Sequence, residues 1–283
     1  MTRSRGLGDV YKRQGVNATG AIAVLNIGSF RTWSRNVTSH NTSNGSFTFE
    51  EVPSSGWKYK HHMYFLTQKL ELLDVPGEWF FDHESPSNTV YYMPRDGRDP
   101  NDLNIRMKTQ PYAILCSDDD GVVVEGFDYF ATTFRLDDCD GSEIRNSTLL
   151  YPSTSKRSLG YAGEDMDNRH VSRVDDCIGC LVDRCDFLYT DGAAFEAHGG
   201  ASSSQNNTIN NSYFYHIDWS GSDQKSLMTT IMMDGTTNRF TNNTMHKTGT
   251  SATIRIGNAP QIMFNEIYAV SYTHLTLPTS SRV

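Results

Sequence analysis

The sequence is poor in several features that would place it in a common protein class. Its 283 residues include only 5 cysteines, and Cys177 and Cys180 form a single Cys-x-x-Cys pair with no second pair to complete a zinc ribbon. No apolar run approaches the length of a membrane span. The 25 basic residues are outnumbered by 33 acidic ones, and nucleic-acid binding requires a basic surface. We therefore expect no nucleic-acid partner, no membrane span, no metal and no cofactor.

Both ends of the chain have sequences that do not read as natural protein. Ser4–Gln14 (SRGLGDVYKRQ) and Val270–Thr279 (VSYTHLTLPT) resemble in-frame translations of the two strands of one sequencing-adapter end. We interpret residues 1–14 and 270–283 as adapter-derived and exclude them from the fold prediction. These two segments carry five basic residues and one acidic residue, a net charge of +4. The whole chain has a net charge of −8, so residues 15–269 carry −12. We therefore expect this chain to be a fragment of the natural protein, cut at both ends.

A degenerate repeat follows Gly121. Each copy has a polar turn, a β-branched or aromatic residue, Asn or a substitute, and an apolar residue, as in VEGFDYF (124–130) and INNSYFY (209–215). The positions that we take as equivalent are Gly126, Asn146, Arg184, Asn211, Asn243 and Asn265, separated by 20, 38, 27, 32 and 22 residues. A base period of roughly 20–22 residues with loops inserted in some turns is typical of a parallel β-helix.

The repeat predicts which residues lie above one another, because rungs of a parallel β-helix stack about 4.8 Å apart. We expect an inward apolar column of Ile144, Val182, Ile209 and Phe240, and an amide ladder of Asn146, Asn211, Asn243 and Asn265. Cys139 and Cys177 each precede their repeat position by seven residues, which predicts that they are rung neighbours. They would form either a disulfide or a buried pair of free thiols, and we favour the thiols. The polar stretch 152–172 is predicted to be a loop over one face.

Upstream of the repeat, alternating β patterns such as SFTFEEV (46–52) and TVYYMP (89–94) are separated by turn residues. The segment 69–100, KLELLDVPGEWFFDHESPSNTVYYMPRDGRDP, resembles the LDxPGEWYxD…LYxxP signature of β-helical carbohydrate-active enzymes of the pectate-lyase-like superfamily. This resemblance extends over roughly Ala21 to Ala269. The resemblance implies an all-β fold with two parts: a β-rich, sandwich-like insert at 15–104 and a right-handed single-stranded parallel β-helix at 105–269. The proteins that this chain resembles include glycoside hydrolases.

Chemistry on a β-helix requires side chains stacked on one face, so we searched for polar columns. Aligning Phe187, Phe214 and Met245 places Asp191 beside Asp218 and stacks Tyr189, His216 and Lys247. In the next strand, residues 194–198 face 230–234 and 253–257. The same alignment places Glu196 and Arg255 in one column and His198 beside Asp234, and residues 133–137 add Arg135 and Asp137 to these columns.

Paired carboxylates can hydrolyse a glycosidic bond, and neighbouring like charges raise the pKa of the one that acts as the acid. The predicted catalytic carboxylates are Asp191, Glu196 and Asp218. The predicted substrate-binding residues are Tyr189, His198, His216, Trp219, Asp234, Lys247, Arg255 and Arg135. Each residue taken singly also fits a turn or a solvated surface, and a register error of one residue would exchange inward and outward faces.

Three functions fit these observations. The first is a secreted, monomeric glycoside hydrolase acting on a plant or algal polysaccharide. The second is a polysaccharide lyase or uronan epimerase, in which Lys247, Arg255 or Arg135 neutralises a uronate carboxylate while His216 or Tyr189 removes the C5 proton. The third is a non-catalytic carbohydrate-binding or adhesin solenoid, for which we expect columns of Ser, Thr and Asn rather than of charges.

Overall fold

A computed structural model describes residues 15–28, 31–52, 63–82, 84–153, 170–190, 192–217, 229–249 and 252–268. These residues form 24 β-strands and two 3₁₀ turns, Leu70–Leu72 and Pro100–Asp102. No helix among them is long and apolar enough to cross a membrane. The adapter-like segments 1–14 and 270–283 lie outside the described residues.

The N-terminal strands are antiparallel. They are β1 (Ile22–Gly28), β2 (Arg31–Asn41), β3 (Ser46–Phe49), β4 (Met63–Thr67), β5 (Trp79–Asp82) and β6 (Thr89–Tyr92). The first four form one sheet in the order β3-β2-β1-β4, and β5 pairs with β6 as a hairpin. Alanines and larger apolar side chains are buried along the sheet, including Ala23, Leu25, Trp33, Val37 and Leu66. The strands predicted within 46–52 and 89–94 are confirmed as β3 and β6.

The rest of the described chain is a parallel β-helix of six rungs, each with three short strands that belong to three different sheets. Sheet I contains β7 (Tyr112–Ser117), β10 (Thr133–Asp137), β13 (Ser172–Asp175), β16 (Phe195–His198), β19 (Thr229–Thr236) and β22 (Ala252–Asn258). Sheet II contains β8 (Val123–Glu125), β11 (Glu143–Arg145), β14 (Leu181–Asp183), β17 (Thr208–Asn210), β20 (Arg239–Thr241) and β23 (Gln261–Met263). Sheet III contains β9 (Asp128–Phe130), β12 (Thr148–Leu150), β15 (Asp186–Thr190), β18 (Tyr213–Ile217), β21 (Thr244–Thr248) and β24 (Glu266–Tyr268).

The interior consists of columns of one apolar side chain per rung. Ile144, Val182, Ile209 and Phe240 are paired in register in sheet II and are all buried, as predicted. In sheet III, Phe187 lies against Phe214 with ring centroids 4.8 Å apart and planes 8° from parallel. Alternation along each short strand sends every second side chain inward, so the outward positions of neighbouring rungs also form columns.

The predicted amide ladder is wrong by one residue in its last two members. The equivalent turn residues are Gly126, Asn146, Arg184, Asn211, Asn242 and Phe264, all with positive φ. Asn243 and Asn265 lie one position further on, where Ser212 N–H donates to Asn243 Oδ1 (2.9 Å) and Asn243 N–H donates to Asn265 Oδ1 (2.8 Å). Two adjacent columns therefore exist: a left-handed turn column facing solvent, and an inward ladder that satisfies buried backbone N–H groups. Because residues 242 and 243 are both asparagine, the sequence alone does not show which of the two lies in the turn column and which lies in the inward ladder.

Two further predictions concern the second and third rungs and the segment between them. Cys139 and Cys177 are neighbours with free thiols, and the Cys139 backbone N–H donates to Cys177 Sγ at 3.1 Å, as predicted. The predicted loop 152–172 ends earlier than expected, because Ser172 is buried and begins β13. Most of that loop, 154–169, lies outside the described residues.

Candidate functional site

The outward side of sheet I carries two adjacent columns of ionisable residues, which together we call the charged face. One column contains Arg135, Arg173, Glu196 and Arg255, with Met232 between the last two. The other contains Asp137, Asp175 and His198, followed by Asp234. The predicted register of residues 133–137, 194–198, 230–234 and 253–257 is confirmed. A face with this many charges is not the Ser, Thr and Asn surface expected of a plain structural solenoid.

His198 links two carboxylates on neighbouring rungs. Its Nε2 lies 2.9 Å from Glu196 Oε2, and its Nδ1 lies 3.4 Å from Asp234 Oδ2. The Glu196 side chain is 1% exposed, whereas His198 is 26% and Asp234 is 34% exposed. A ligand on this face would therefore contact His198 and Asp234 before the buried carboxylate of Glu196, which is linked to the surface by the imidazole. An imidazole with a carboxylate at each nitrogen is suited to moving a proton between them.

The backbone around Asp234 is fixed by its neighbours. Its carbonyl accepts hydrogen bonds from Ser204 Oγ (3.1 Å) and Asn238 Nδ2 (2.6 Å). Gly235 follows with a φ of 91°, and a Cβ at that position would overlap the Ser204 carbonyl, so only glycine fits. Arg255 Nη2 lies 3.4 Å from Asp234 Oδ1 and is 62% exposed. Asp234 is thus held between His198 and Arg255 at the rim of the face.

A second ion-pair cluster occupies the two preceding rungs. Asp175 is buried, and its Oδ2 lies 3.1 Å from Arg135 Nε and 3.2 Å from Arg173 Nε. Arg135 also donates from Nη2 to Asp137 Oδ2 at 2.9 Å. Burial raises the pKa of Asp175, although Arg173, His198 and Arg135 act in the opposite direction. The cluster therefore has one buried carboxylate, Asp175, surrounded by partly exposed charges, and it lies directly beside Glu196 and His198 in the strand register.

Near the ends of the sheet III strands, where each rung turns toward sheet I, a separate column contains Tyr189, His216 and Lys247, again in the predicted register. We call it the corner column. All three have positive φ, between 57° and 58°. The rings of Tyr189 and His216 lie 5.3 Å apart, and Lys247 Nζ donates to Tyr215 Oη at 3.0 Å. Burial, and then the charge of Lys247, lower the pKa of His216, which favours a neutral imidazole at neutral pH.

The remaining predicted site residues lie outside the described residues: Asp191, Asp218 and Trp219. The described residues that immediately precede the two aspartates, Thr190 and Ile217, are paired on neighbouring rungs. The roles assigned to all eleven predicted site residues stay predictions.

The sequence reasoning missed Arg173 and Asp175, which the structure brings into the charged face. The sequence contains a pattern that identifies them, because RLDDC (135–139) and RVDDC (173–177) differ at one position only. Once Cys139 and Cys177 are neighbours, the shared spacing places Arg135 beside Arg173 and Asp137 beside Asp175, as the strand pairing has them. Treating 152–172 as a single loop hid the start of this strand.

Within the part of the chain that the structure describes, no group of three or more His, Cys, Asp or Glu side chains is arranged to hold a metal ion. Comparison of the chain with protein-family models, with curated proteins and with solved structures finds no match. The fold and the contacts on the charged face are therefore the basis for the function proposed below.

Proposed function

We propose that this protein is a secreted polysaccharide-active enzyme of the pectate-lyase-like superfamily that hydrolyses glycosidic bonds on its charged face. The observation that carries the proposal is the Glu196–His198–Asp234 relay across two rungs. Hydrolysis requires an acid that protonates the departing glycosidic oxygen and a base that takes a proton from the attacking water. The relay supplies carboxylates and an imidazole for both proton movements. The resemblance of segment 69–100 to β-helical glycoside hydrolases supports the same class.

The charge balance of the face favours a neutral sugar over a uronate. Among the described residues of the face, Arg135 and Arg173 lie against Asp175, and Arg255 lies against Asp234. A uronate carboxylate would have to compete with these aspartates for its cation. The chain as a whole is also acidic, with a net charge of −8, which disfavours a polyanionic substrate.

A lyase or epimerase is the second candidate, and it would act at a different place. His216, whose lowered pKa favours the neutral form, lies near the cation of Lys247. A neutral base next to a cation is the pair needed to remove the C5 proton of a uronate whose carboxylate is held by the cation. This candidate uses the corner column and needs no residue of the relay.

The products distinguish the two candidates. The intact chain is incubated with neutral β-linked glycans and with uronate-containing glycans, and new reducing ends are measured together with the absorbance of unsaturated products. Reducing ends without that absorbance, lost in His198→Asn, support hydrolysis at the charged face. Unsaturated ends that disappear in His216→Asn would instead support the lyase. Binding without any product from either group of glycans would favour the adhesin.

A further inference from the structure

An aromatic ring lies on the outer surface at every rung of the solenoid. We call this set the aromatic stripe, and it consists of Phe130, Tyr151, Tyr189, Tyr215, His246 and Tyr268. Five of its members lie on the strands of sheet III, and Tyr151 directly follows β12. Tyr151 and Tyr189 both have positive φ, where the chain begins to turn toward sheet I. The successive ring centroids are 6.0, 5.8, 5.4, 5.3 and 4.3 Å apart.

The inward side of the same sheet is filled by its own apolar column, so the stripe is not part of the core. Phe187, Phe214 and Met245 are fully buried in sheet III, whereas Phe130, Tyr151 and Tyr268 are each more than 40% exposed. Aromatic side chains left at the surface in one continuous row mark an interaction site more often than scattered ones do. The first four ring pairs are tilted or edge-on, at 90°, 40°, 88° and 57°, so the rings do not cover one another as a single closed stack.

We propose that the aromatic stripe binds a neutral, β-linked polysaccharide chain that runs parallel to the solenoid axis. The inference rests on the proposed polysaccharide function and names its substrate class. The stripe advances by about 4.8 Å per rung, which is comparable to the advance per sugar of an extended β-linked pyranose chain. The C–H bonds on a pyranose face carry the partial positive charge that the π face of an aromatic ring attracts.

The polar groups along the stripe support a sugar as the occupant. Five of the six rings carry a hydroxyl or an imidazole nitrogen, which can hydrogen-bond to sugar hydroxyls beside the stacking contact. Single-stranded nucleic acid also stacks on aromatic rows, but it needs a basic groove along its backbone. The strands of the stripe instead carry Asp128, Asp186 and Glu266 on their outward side. Two cations also contact rings of the stripe: Arg106 lies over Phe130 at 5.5 Å and Lys247 lies over Tyr215 at 5.1 Å. These two cations lie at separate rings and do not form a continuous basic groove, so a neutral chain fits the stripe better than a polyanion.

The position of the stripe connects it to the charged face. Each rung passes from sheet III around one corner into sheet I of the next rung, and Tyr189 lies at that corner ahead of the strand that carries Glu196 and His198. A chain held along the stripe therefore lies beside the relay rather than on the opposite side of the solenoid. The stripe would supply affinity, and the charged face would supply chemistry.

The test measures binding separately from turnover. Neutral β-linked oligosaccharides (cello-, xylo- and galacto-oligosaccharides of two to six sugars) are titrated into the intact chain at low temperature by calorimetry, with polygalacturonate and poly(U) as polyanionic comparisons. The affinity of the bound series should rise with length up to about six sugars, because the stripe spans six rungs. Tyr215→Leu should weaken binding of the longest oligosaccharide about fivefold, and the double variant with Tyr189→Leu should weaken it further.

Two controls separate ring loss from general damage. Tyr215→Phe keeps the ring and removes only the hydroxyl that accepts from Lys247, so it should retain most of the affinity. Trp79→Ala removes a ring that is 59% exposed on β5, outside the stripe, and should bind like the unchanged chain. The proposal is overturned if none of the neutral series binds, if the polyanions bind in its place, or if Tyr215→Leu binds as Trp79→Ala does. An absence of hydrolysis with intact stripe binding would reject the enzyme proposal and leave this one standing.

Discussion

The assignment of Asn243 rather than Asn242 to the inward ladder predicts a large difference between two adjacent asparagines. Asn243 is 1% exposed, accepts from Ser212 N–H at 2.9 Å and donates from Nδ2 to the Ile209 carbonyl at 3.0 Å. Asn243→Ala leaves the buried Ser212 N–H without its acceptor and removes one hydrogen-bond donor from the Ile209 carbonyl. An unsatisfied buried N–H costs about 1–3 kcal/mol, and a lost hydrogen bond costs about 1 kcal/mol more. We therefore expect a loss of about 2–4 kcal/mol.

The matched control is Asn242→Gly. Asn242 is exposed and has a φ of 55°, a conformation that glycine adopts without strain. It loses only an exposed hydrogen bond to Asn210 Oδ1, so we expect a change within about 0.5 kcal/mol.

Hydrogen exchange read by mass spectrometry is the suitable assay, because rungs contact only their neighbours and can open locally. Peptides covering 208–217 and 239–248 should lose protection in Asn243→Ala and keep it in Asn242→Gly. Equal protection in the two variants, or the reverse order, would refute the ladder assignment.

Three further predictions follow from the core and its buried groups. Phe214→Ala removes a fully buried ring stacked 4.8 Å from Phe187 and should cost about 3–5 kcal/mol in urea unfolding, whereas a cost below about 1 kcal/mol would contradict the packing. Because burial raises the pKa of Asp175, its contribution to stability is present below the unfolded pKa and is lost as pH rises through the folded pKa. Asp175→Asn should therefore become more stable relative to the unchanged chain between pH 3.5 and pH 7, and an opposite trend in urea midpoints would contradict the burial. In thiol labelling of the native protein, only the half-buried Cys116 should react, slowly because its pKa is raised to about 11, whereas unfolded chain should label at all 5 cysteines.

The sequence predicted the solenoid well because each rung repeats the same physical requirement. One inward apolar residue per strand and one turn residue with positive φ must recur, and columns such as Ile144–Val182–Ile209 follow from that recurrence. The register of the charged face was also predictable, since Glu196 and Asp234 are each fixed by the apolar alternation of their own strand.

Other features could not be read from composition. The distinction between Asn242 and Asn243 depends on which residue takes the left-handed turn, and asparagine suits both positions. The burial of Glu196 depends on what packs around the face, which alternation does not specify. Tyr151 and Tyr189 lie one register position later than the other four members of the aromatic stripe, so no single sequence period reveals it.

If the relay on the charged face hydrolyses a neutral glycan, the rate of reducing-end release should depend on Asp234, which Asp234→Asn tests. The matched control is Asp96→Asn, which removes an exposed carboxylate paired with Arg98 at 2.7 Å in the N-terminal region. Asp234→Asn should lower kcat/KM at least about 100-fold, as loss of an acid–base group does, while Asp96→Asn should leave kcat/KM unchanged. Equal rates in the two variants, measured on protein that retains its β-rich circular dichroism, would contradict this role of the relay.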